Sequence, residues 1–200
     1  MTATPRPRRG RPGHDLDAVL AAAVQLFNTH GYDATSMDDV ARRLGITKSS
    51  VYHHVRGKEE LLRLAMDHAL TGLDEALAEV RDLAGASALH RLETLLRSSV
   101  LVLADRLQYV TLLLRVRGNS EVELAALARR RDFDQEVTAL VKAAQSEGAI
   151  RPDVDPATAA RLLFGMVNSL TEWYSPGRRN AAEIAATVTA LAFDGLRTRR

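Results

Sequence analysis

The chain has 200 residues, of which 46% are hydrophobic and 26% are charged, a balance typical of a globular protein with a substantial core. It contains no cysteine, which excludes disulfide bonds, thiolate catalysis and cysteine-ligated zinc or iron–sulfur sites. No apolar run reaches the roughly 18 residues of a membrane span, and the start lacks the apolar stretch of a secretory signal, so we expect a cytoplasmic protein.

Residues 1–13 are predicted to form a flexible basic arm, because they hold three prolines, two glycines and no apolar periodicity. The formal net charge of the chain is +2, and the whole excess lies in the first 60 residues. The basic residues of the arm precede the first acidic residue of the chain and are Arg6, Arg8, Arg9 and Arg11. Such an arm suggests a polyanionic partner, and a solvated tail is the alternative.

Residues 14–57 are predicted to form three helices. The first has apolar residues at helical spacing from Leu16 to Phe27, and Gly31 is placed to end it. Ser36 and Asp39 fit a capping box that opens a second helix, which Gly45 ends after about two turns. The third helix is short: Thr47 can cap it and it runs to about His54.

Two short helices joined by a glycine turn, with another helix before them, are typical of a helix-turn-helix unit. Its second helix needs buried apolar anchors, for which Val51 and Val55 are the candidates. Tyr52 and His53 are expected to face outward and reach the DNA backbone. A three-helix module used only for packing is the alternative. The helix also begins with small polar groups suited to base edges and phosphates, namely Thr47, Lys48, Ser49 and Ser50.

The segment from Ala21 to Leu62 resembles the DNA-binding domain of the TetR family of bacterial repressors. The pattern F-x-x-x-G-[FY]-x-x-[TS] runs from Phe27 through Thr35. The remaining matches are Val40, Ala41, Gly45, Ile46 and Thr47, followed by Val51, Tyr52, His54, Lys58 and Leu61. Two departures are Val55 in place of the usual phenylalanine and Ser49 in place of a common glycine.

The resemblance implies an all-α fold of about nine helices, in which the first three bind operator DNA and residues 58–200 bind a ligand and dimerise. It also implies the contact residues on the small domain, to which we add the arm and Ser36. The predicted DNA-binding set is therefore Arg8, Arg9, Arg11, Thr35, Ser36, Thr47, Lys48, Ser49, Ser50, Tyr52, His53 and Lys58. His54 is expected to support the core of the small domain.

The rest of the chain is predicted to form six more helices, since apolar stripes recur between glycine and proline breaks. Their expected ranges are 58–80, 87–104, 106–117, 120–147, 156–174 and 180–197. The resemblance implies that the last two build a homodimer as a four-helix bundle. The candidate interface residues are Leu163, Met166, Leu170, Val188 and Leu191.

Polar residues that interrupt apolar surroundings are the candidates for binding a small-molecule effector. They are Arg115, Arg117, Asn119, Asn168 and Glu172, with solvated or helix-capping roles as the alternative. The ending NSLTEWYSPG resembles the tail of family members that respond to acyl-CoA thioesters, and an arginine pair would suit the phosphates of such a ligand. An apolar drug-like or lipid effector is the alternative.

Enzyme activity is not expected, because phosphate-binding glycine loops, H-E-x-x-H and G-x-S-x-G are absent. No cofactor or metal is expected. Two further alternatives are a DNA-packaging protein without sequence preference and a metal-responsive repressor, for which His68 and His90 are the candidate ligands.

Overall fold

The computed structural model describes residues 15–83 and 85–197. By its contacts the chain divides into two compact units, Met1–Leu61 and Leu62–Arg200. Apart from one antiparallel bridge between Ile150 and Arg197, all regular structure in the described residues is helical, which confirms the all-α prediction. Within the same residues, no helix combines the length and apolar character that crossing a membrane requires.

The first unit is built from three helices and the first turn of a fourth. Asp15 caps the first helix by accepting a hydrogen bond from the backbone N–H of Ala18 at 2.9 Å. The core of the unit is a small apolar cluster formed by Val19, Ala23, Phe27, Val40 and Val51. The helices are α1 (Leu16–His30), α2 (Met37–Leu44), α3 (Lys48–Tyr52) and the beginning of α4 (Lys58–Arg81).

The second unit holds the rest of α4 and six further helical segments. Its centre is α5, which packs against α7, α8 and α10 and buries Leu92, Leu95, Leu96 and Val100 completely. The segments are α5 (Ala88–Asp105), α6 (Leu107–Arg115), α7 (Glu121–Ser146), α8 (Pro156–Asn168), α9 (Leu170–Trp173) and α10 (Ala181–Leu196).

The eighth predicted helix, 156–174, is interrupted at Ser169, so that α9 is a short continuation of α8. The Ser169 hydroxyl donates to the carbonyl of Met166 at 2.7 Å, and the Thr171 hydroxyl donates to that of Asn168 at 2.8 Å. Side-chain bonds of this kind compete with the helical backbone ladder.

The sixth predicted helix is also shorter than expected. Its last helical residue is Arg115, because Val116 is extended and buries its side chain. The prediction that Arg117 lies in the last turn of this helix is therefore wrong.

Candidate DNA-binding surface and effector groove

The helix-turn-helix of the first unit is formed by α2, a glycine turn and α3. Gly45 adopts the left-handed conformation (φ 66°, ψ 31°), which side chains disfavour, and its N–H donates to the carbonyls of Ala41 and Arg42. Thr47 caps α3 through the N–H of Ser50 at 3.2 Å. Val51 and Val55 are 0% and 3% exposed, so these anchors fix which face of α3 remains in solvent.

That outward face carries the polar residues expected to reach DNA. Tyr52 is 46% exposed, an unusual state for a large aromatic side chain, and His53 beside it is also exposed. Lys48 and Ser49 lie one turn earlier on the same face, since positions four apart on a helix are neighbours. The structure thus groups Lys48, Ser49, Tyr52 and His53, which we call the α3 face.

The Lys48 ammonium on the α3 face forms an ion pair with an acidic residue of α2. The Lys48 ammonium lies 2.8 Å from a carboxylate oxygen of Asp38 on α2. This hydrogen bond raises the pKa of Lys48, so the ammonium stays protonated. An exposed pair of this kind contributes little to stability, so a DNA phosphate can replace Asp38 at little cost.

Other members of the predicted DNA-binding set make hydrogen bonds within the unit. Thr35 is 3% exposed and its hydroxyl donates to the Gly31 carbonyl at 2.8 Å, so its hydroxyl is directed inward and not at DNA. The Lys58 ammonium donates to the carbonyls of Tyr32 and Asp33 at 2.9 and 3.3 Å. Arg8, Arg9 and Arg11 lie outside the described residues.

Two hydroxyls of the set act as helix caps. Ser36 forms the predicted capping box with Asp39: the Ser36 N–H donates to the carboxylate at 2.9 Å, and the Asp39 N–H donates to the Ser36 hydroxyl at 3.2 Å. The Ser36 hydroxyl and N–H hold the pKa of Asp39 below its usual range. The hydroxyls of Thr47 and Ser50 lie 2.8 Å apart at the start of α3.

The loop between α6 and α7 carries Arg117 and Asn119, two of the predicted effector residues. Both are exposed, as is Arg115 at the end of α6. One oxygen of the buried Glu123 carboxylate accepts the backbone N–H groups of Arg117, Gly118 and Asn119 at 2.8, 2.8 and 3.0 Å. The backbone N–H groups of this loop therefore bind the Glu123 carboxylate. Ligand contacts by the side chains of Arg117 and Asn119 stay a prediction.

Replacing Glu123 with alanine is expected to lower the free energy of unfolding by about 2–3 kcal/mol at pH 7, because three N–H groups lose a charged acceptor. Burial by itself raises the pKa of Glu123, but the three N–H donors and the Arg117 charge outweigh it and the pKa is lowered. Stabilisation by a carboxylate with a lowered pKa is present above the pKa of the unfolded chain, about 4.3, and is lost as pH falls through the folded value.

The measurement is urea unfolding of the wild type and Glu123→Ala at pH 7 and at pH 3. The difference in the free energy of unfolding between the two proteins should be smaller at pH 3 than at pH 7. A difference that is equal at both values would contradict a role for the ionised carboxylate.

A groove of about 730 Å³ lies between α7 and α8. Phe164 and Ala160 of α8 provide apolar lining, and Asn168 also lines the groove. Of the predicted effector residues the structure brings only Asn168 to this groove, since Glu172 is exposed on α9. The charged residues that line it are Arg130, Arg131, Asp134, Lys142 and Arg161.

The groove therefore carries four cations and one acid. Burial raises the pKa of Asp134, against the opposing effect of the Arg130 and Arg161 charges. Sequence analysis missed these residues, because arginines and lysines on a long helix are also typical of a solvated face. The three consecutive arginines, Arg129–Arg131, are visible in the sequence, but they do not indicate which helix packs against them.

Exposed apolar side chains lie on α8 and on α10. Leu191 is 70% and Leu162 is 64% exposed, and Met166 and Val188 are half-buried. Leu163 and Leu170, also predicted for the dimer interface, are each 1% exposed and belong to the core of the second unit. Met166, Val188 and Leu191 stay predictions for the dimer interface, and Leu162 is a further exposed leucine of α8.

His68 and His90 were the candidate metal ligands. Within residues 15–83 and 85–197, no three His, Cys, Asp or Glu residues are grouped so that they could hold a metal ion. The His68 ring lies 4.2 Å from the ring of Tyr109, and His90 is in the first turn of α5.

Both units match models of one protein family. The model described as bacterial regulatory proteins, tetR family, matches residues 19–65. The model described as the tetracyclin repressor-like C-terminal domain matches residues 85–196, more than half of the chain.

Individual relatives agree with these matches. The HTH-type transcriptional repressor KstR2 of Mycolicibacterium smegmatis is 26% identical over 190 residues, covering 93% of this chain and 92% of its own. The crystal structure of a TetR-family regulator from Streptomyces coelicolor A3 is 46% identical, with a TM-score of 0.81 and 94% coverage of both chains. AibR, in complex with isovaleryl coenzyme A and operator DNA, is 29% identical, with a TM-score of 0.75, and covers 89% of this chain and 97% of its own.

The helix-turn-helix geometry, the α3 face and the two family models lead to one assignment. The chain belongs to the TetR family and is a helix-turn-helix DNA-binding transcription regulator.

Proposed function

We propose that the protein is a homodimeric repressor that binds a palindromic operator and leaves it when an acyl-CoA thioester occupies the α7–α8 groove. The observation that carries the effector assignment is the groove itself, with its cations around an apolar lining. Among the relatives, KstR2 is a transcriptional repressor and AibR was crystallised with both isovaleryl coenzyme A and operator DNA.

The dimer is proposed from the apolar face of α8 and α10. A leucine that is 70% exposed, such as Leu191, gains most from being covered by a second copy. A two-fold dimer presents two α3 faces, which bind half-sites whose centres are about 34 Å apart in successive major grooves. A two-fold symmetric dimer therefore matches a palindromic operator, whose two half-sites are related by the same symmetry.

The effector class follows from the chemistry of the groove. Its volume of about 730 Å³ is in the usual range of about 300–1,000 Å³ for small-molecule sites. Arg130, Arg131 and Arg161 offer planar donors for phosphate oxygens, and Phe164 with Ala160 offers apolar contacts for an acyl chain. Asp134 accepts hydrogen bonds and disfavours ligands that carry negative charge along their whole length.

Release of DNA is proposed to act through α4. This helix begins at Lys58 in the first unit and runs through Arg81 in the second, so it is continuous between them. A ligand that prefers one position of α4 changes the spacing of the two α3 faces. A difference of about 3 kcal/mol in ligand affinity between the two positions shifts operator affinity more than a hundredfold.

The test is an operator-release titration with acyl-CoAs, free fatty acids, aromatic acids and apolar drugs. We expect acyl-CoAs to release the DNA, and Arg161→Gln to raise the required concentration about tenfold, since a lost charge-assisted hydrogen bond costs about 1.5 kcal/mol or more. Arg115→Gln is the matched comparison, and it should leave the titration unchanged.

Each other outcome has a definite meaning. If Arg115→Gln has the larger effect, the ligand phosphates bind near the end of α6 and the loop that follows it, as the sequence alone predicted. If fatty acids or drugs release the operator and acyl-CoAs do not, the acyl-CoA assignment is wrong.

A further inference from the structure

The part of α4 inside the second unit is joined to α7 by ion pairs at regular spacing. Arg129 of α7 lies between two carboxylates of α4, with 3.0 Å to Asp67 and a short contact to Asp74. Farther along both helices, Arg81 of α4 pairs with Glu136 of α7 at 2.8 Å. We call these three pairs the α4–α7 seam.

The spacing of the seam is seven residues on both helices. Asp67, Asp74 and Arg81 lie about two turns apart and therefore along one line of α4, and Arg129 and Glu136 do the same on α7. Pairing proceeds in the same direction on both helices, so the two run parallel along the seam. A sliding movement of α4 along its own axis would therefore lengthen the pair of Arg129 with either Asp67 or Asp74.

Apolar packing along this seam is incomplete. A cleft of about 240 Å³ opens beside Arg129, and its apolar lining includes Met66 and Leu70 of α4 and Val122 and Ala126 of α7. Because close packing normally fixes the position of a helix, buried residues such as Ala69, Ala76 and Val80 hold α4 elsewhere, and beside the cleft the Arg129 pairs supplement that packing.

α4 also contacts α5, and one close approach is at Gly72. A Cβ atom at Gly72 would lie 2.5 Å from Val102 Cγ1 and 2.9 Å from the Arg106 guanidinium, so α5 contacts the α4 backbone there. Arg106 donates to the His68 carbonyl at 2.8 Å and pairs with Glu75 at 3.1 Å. On the α5 side the helix is held by this close approach, by the Arg106 bonds and by the Ser98 hydroxyl, which donates to Glu79 at 3.1 Å. On the α7 side it is held by the seam.

We propose that Arg129 is a positioning residue that fixes α4 in its DNA-binding position, by bridging Asp67 and Asp74. This inference rests on the proposed function, since α4 is taken to carry movement to the first unit. Arg130 and Arg131, the next two residues of α7, line the effector groove. A ligand that engages them displaces the turn of α7 that holds Arg129.

The experiment compares Arg129→Gln with Arg97→Gln, which removes an exposed arginine from α5. Operator affinity is measured on the palindrome that the wild type selects from random DNA. Because the chain has no cysteine, one spin label at Ala21→Cys, an exposed position of α1, reports the distance between the two protomers.

We expect Arg129→Gln to broaden the distance distribution and to weaken operator binding about fivefold without ligand, with thermal unfolding almost unchanged. Arg97→Gln should behave like the wild type, and Arg129→Lys should recover part of the loss. In the titration with isovaleryl-CoA, Arg129→Gln should also show a smaller ratio between operator affinities without and with ligand.

Equal distances and affinities for Arg129→Gln and Arg97→Gln would overturn the inference while leaving the repressor assignment intact. If the wild type itself selects no palindrome, the proposed function fails. Hydrogen exchange of the α4 amides in residues 64–81 then decides whether Arg129 holds the helix: faster exchange in Arg129→Gln than in Arg97→Gln supports it, and equal exchange refutes it.

Discussion

Replacing Leu191 with glutamate is expected to give a monomeric protein and to reduce operator affinity more than a hundredfold. Leu191 is 70% exposed in the single chain, so the substitution leaves the core of the second unit intact. In a two-fold dimer each interface residue occurs twice. Burying two unpaired carboxylates costs several kcal/mol, and a monomer holds only one half-site.

Light scattering and operator binding measure the two effects. The matched control is Leu124→Glu, which places the same charge at a leucine of α7 that is 53% exposed. The control should remain dimeric and bind DNA normally. A dimeric Leu191→Glu protein would exclude the α8–α10 face as the interface.

Replacing Tyr52 with alanine is expected to weaken binding to the operator at least about thirtyfold. A dimer loses the contact in both half-sites, and each lost specific contact costs about 1–3 kcal/mol. Tyr52 is 46% exposed and neighbours the buried Val51, so its side chain contributes more to the surface than to the core.

Tyr52→Phe separates the two parts of this side chain. If it binds like the wild type, the ring makes the contact; if it binds like alanine, the hydroxyl does. Full operator affinity in Tyr52→Ala, measured by fluorescence anisotropy at fixed salt, would show that the α3 face does not carry recognition.

The first unit was predictable from sequence because its signals are local. The capping box at Ser36, the glycine turn at Gly45 and the cap at Thr47 each act within four residues. Val51 and Val55 then fix the orientation of α3, since burying one face exposes the other. The internal bonds of Lys58 were not predictable, because their acceptors lie 26 and 25 residues earlier in the loop between α1 and α2.

In the second unit, the sequence predicted where the helices lie better than it predicted which side of each helix is buried. Helix α8 is apolar on more than one side, so Leu163 was taken as an interface residue although it is buried, and its neighbour Leu162 was left out although it is exposed. The groove and the seam depend on which helix faces α7. Arg129 meets α4 whereas Arg130 lines the groove beside α8, and nothing local to these adjacent arginines separates the two roles.

Selection of bound DNA from a random pool, followed by footprinting of the enriched sequence, tests most directly whether this protein is a sequence-specific dimeric regulator. We predict one palindromic site, with half-sites whose centres are about one helical turn or a whole number of turns apart, and its loss in Tyr52→Ala. Uniform binding without an enriched sequence would contradict this prediction and would instead support a DNA-packaging protein.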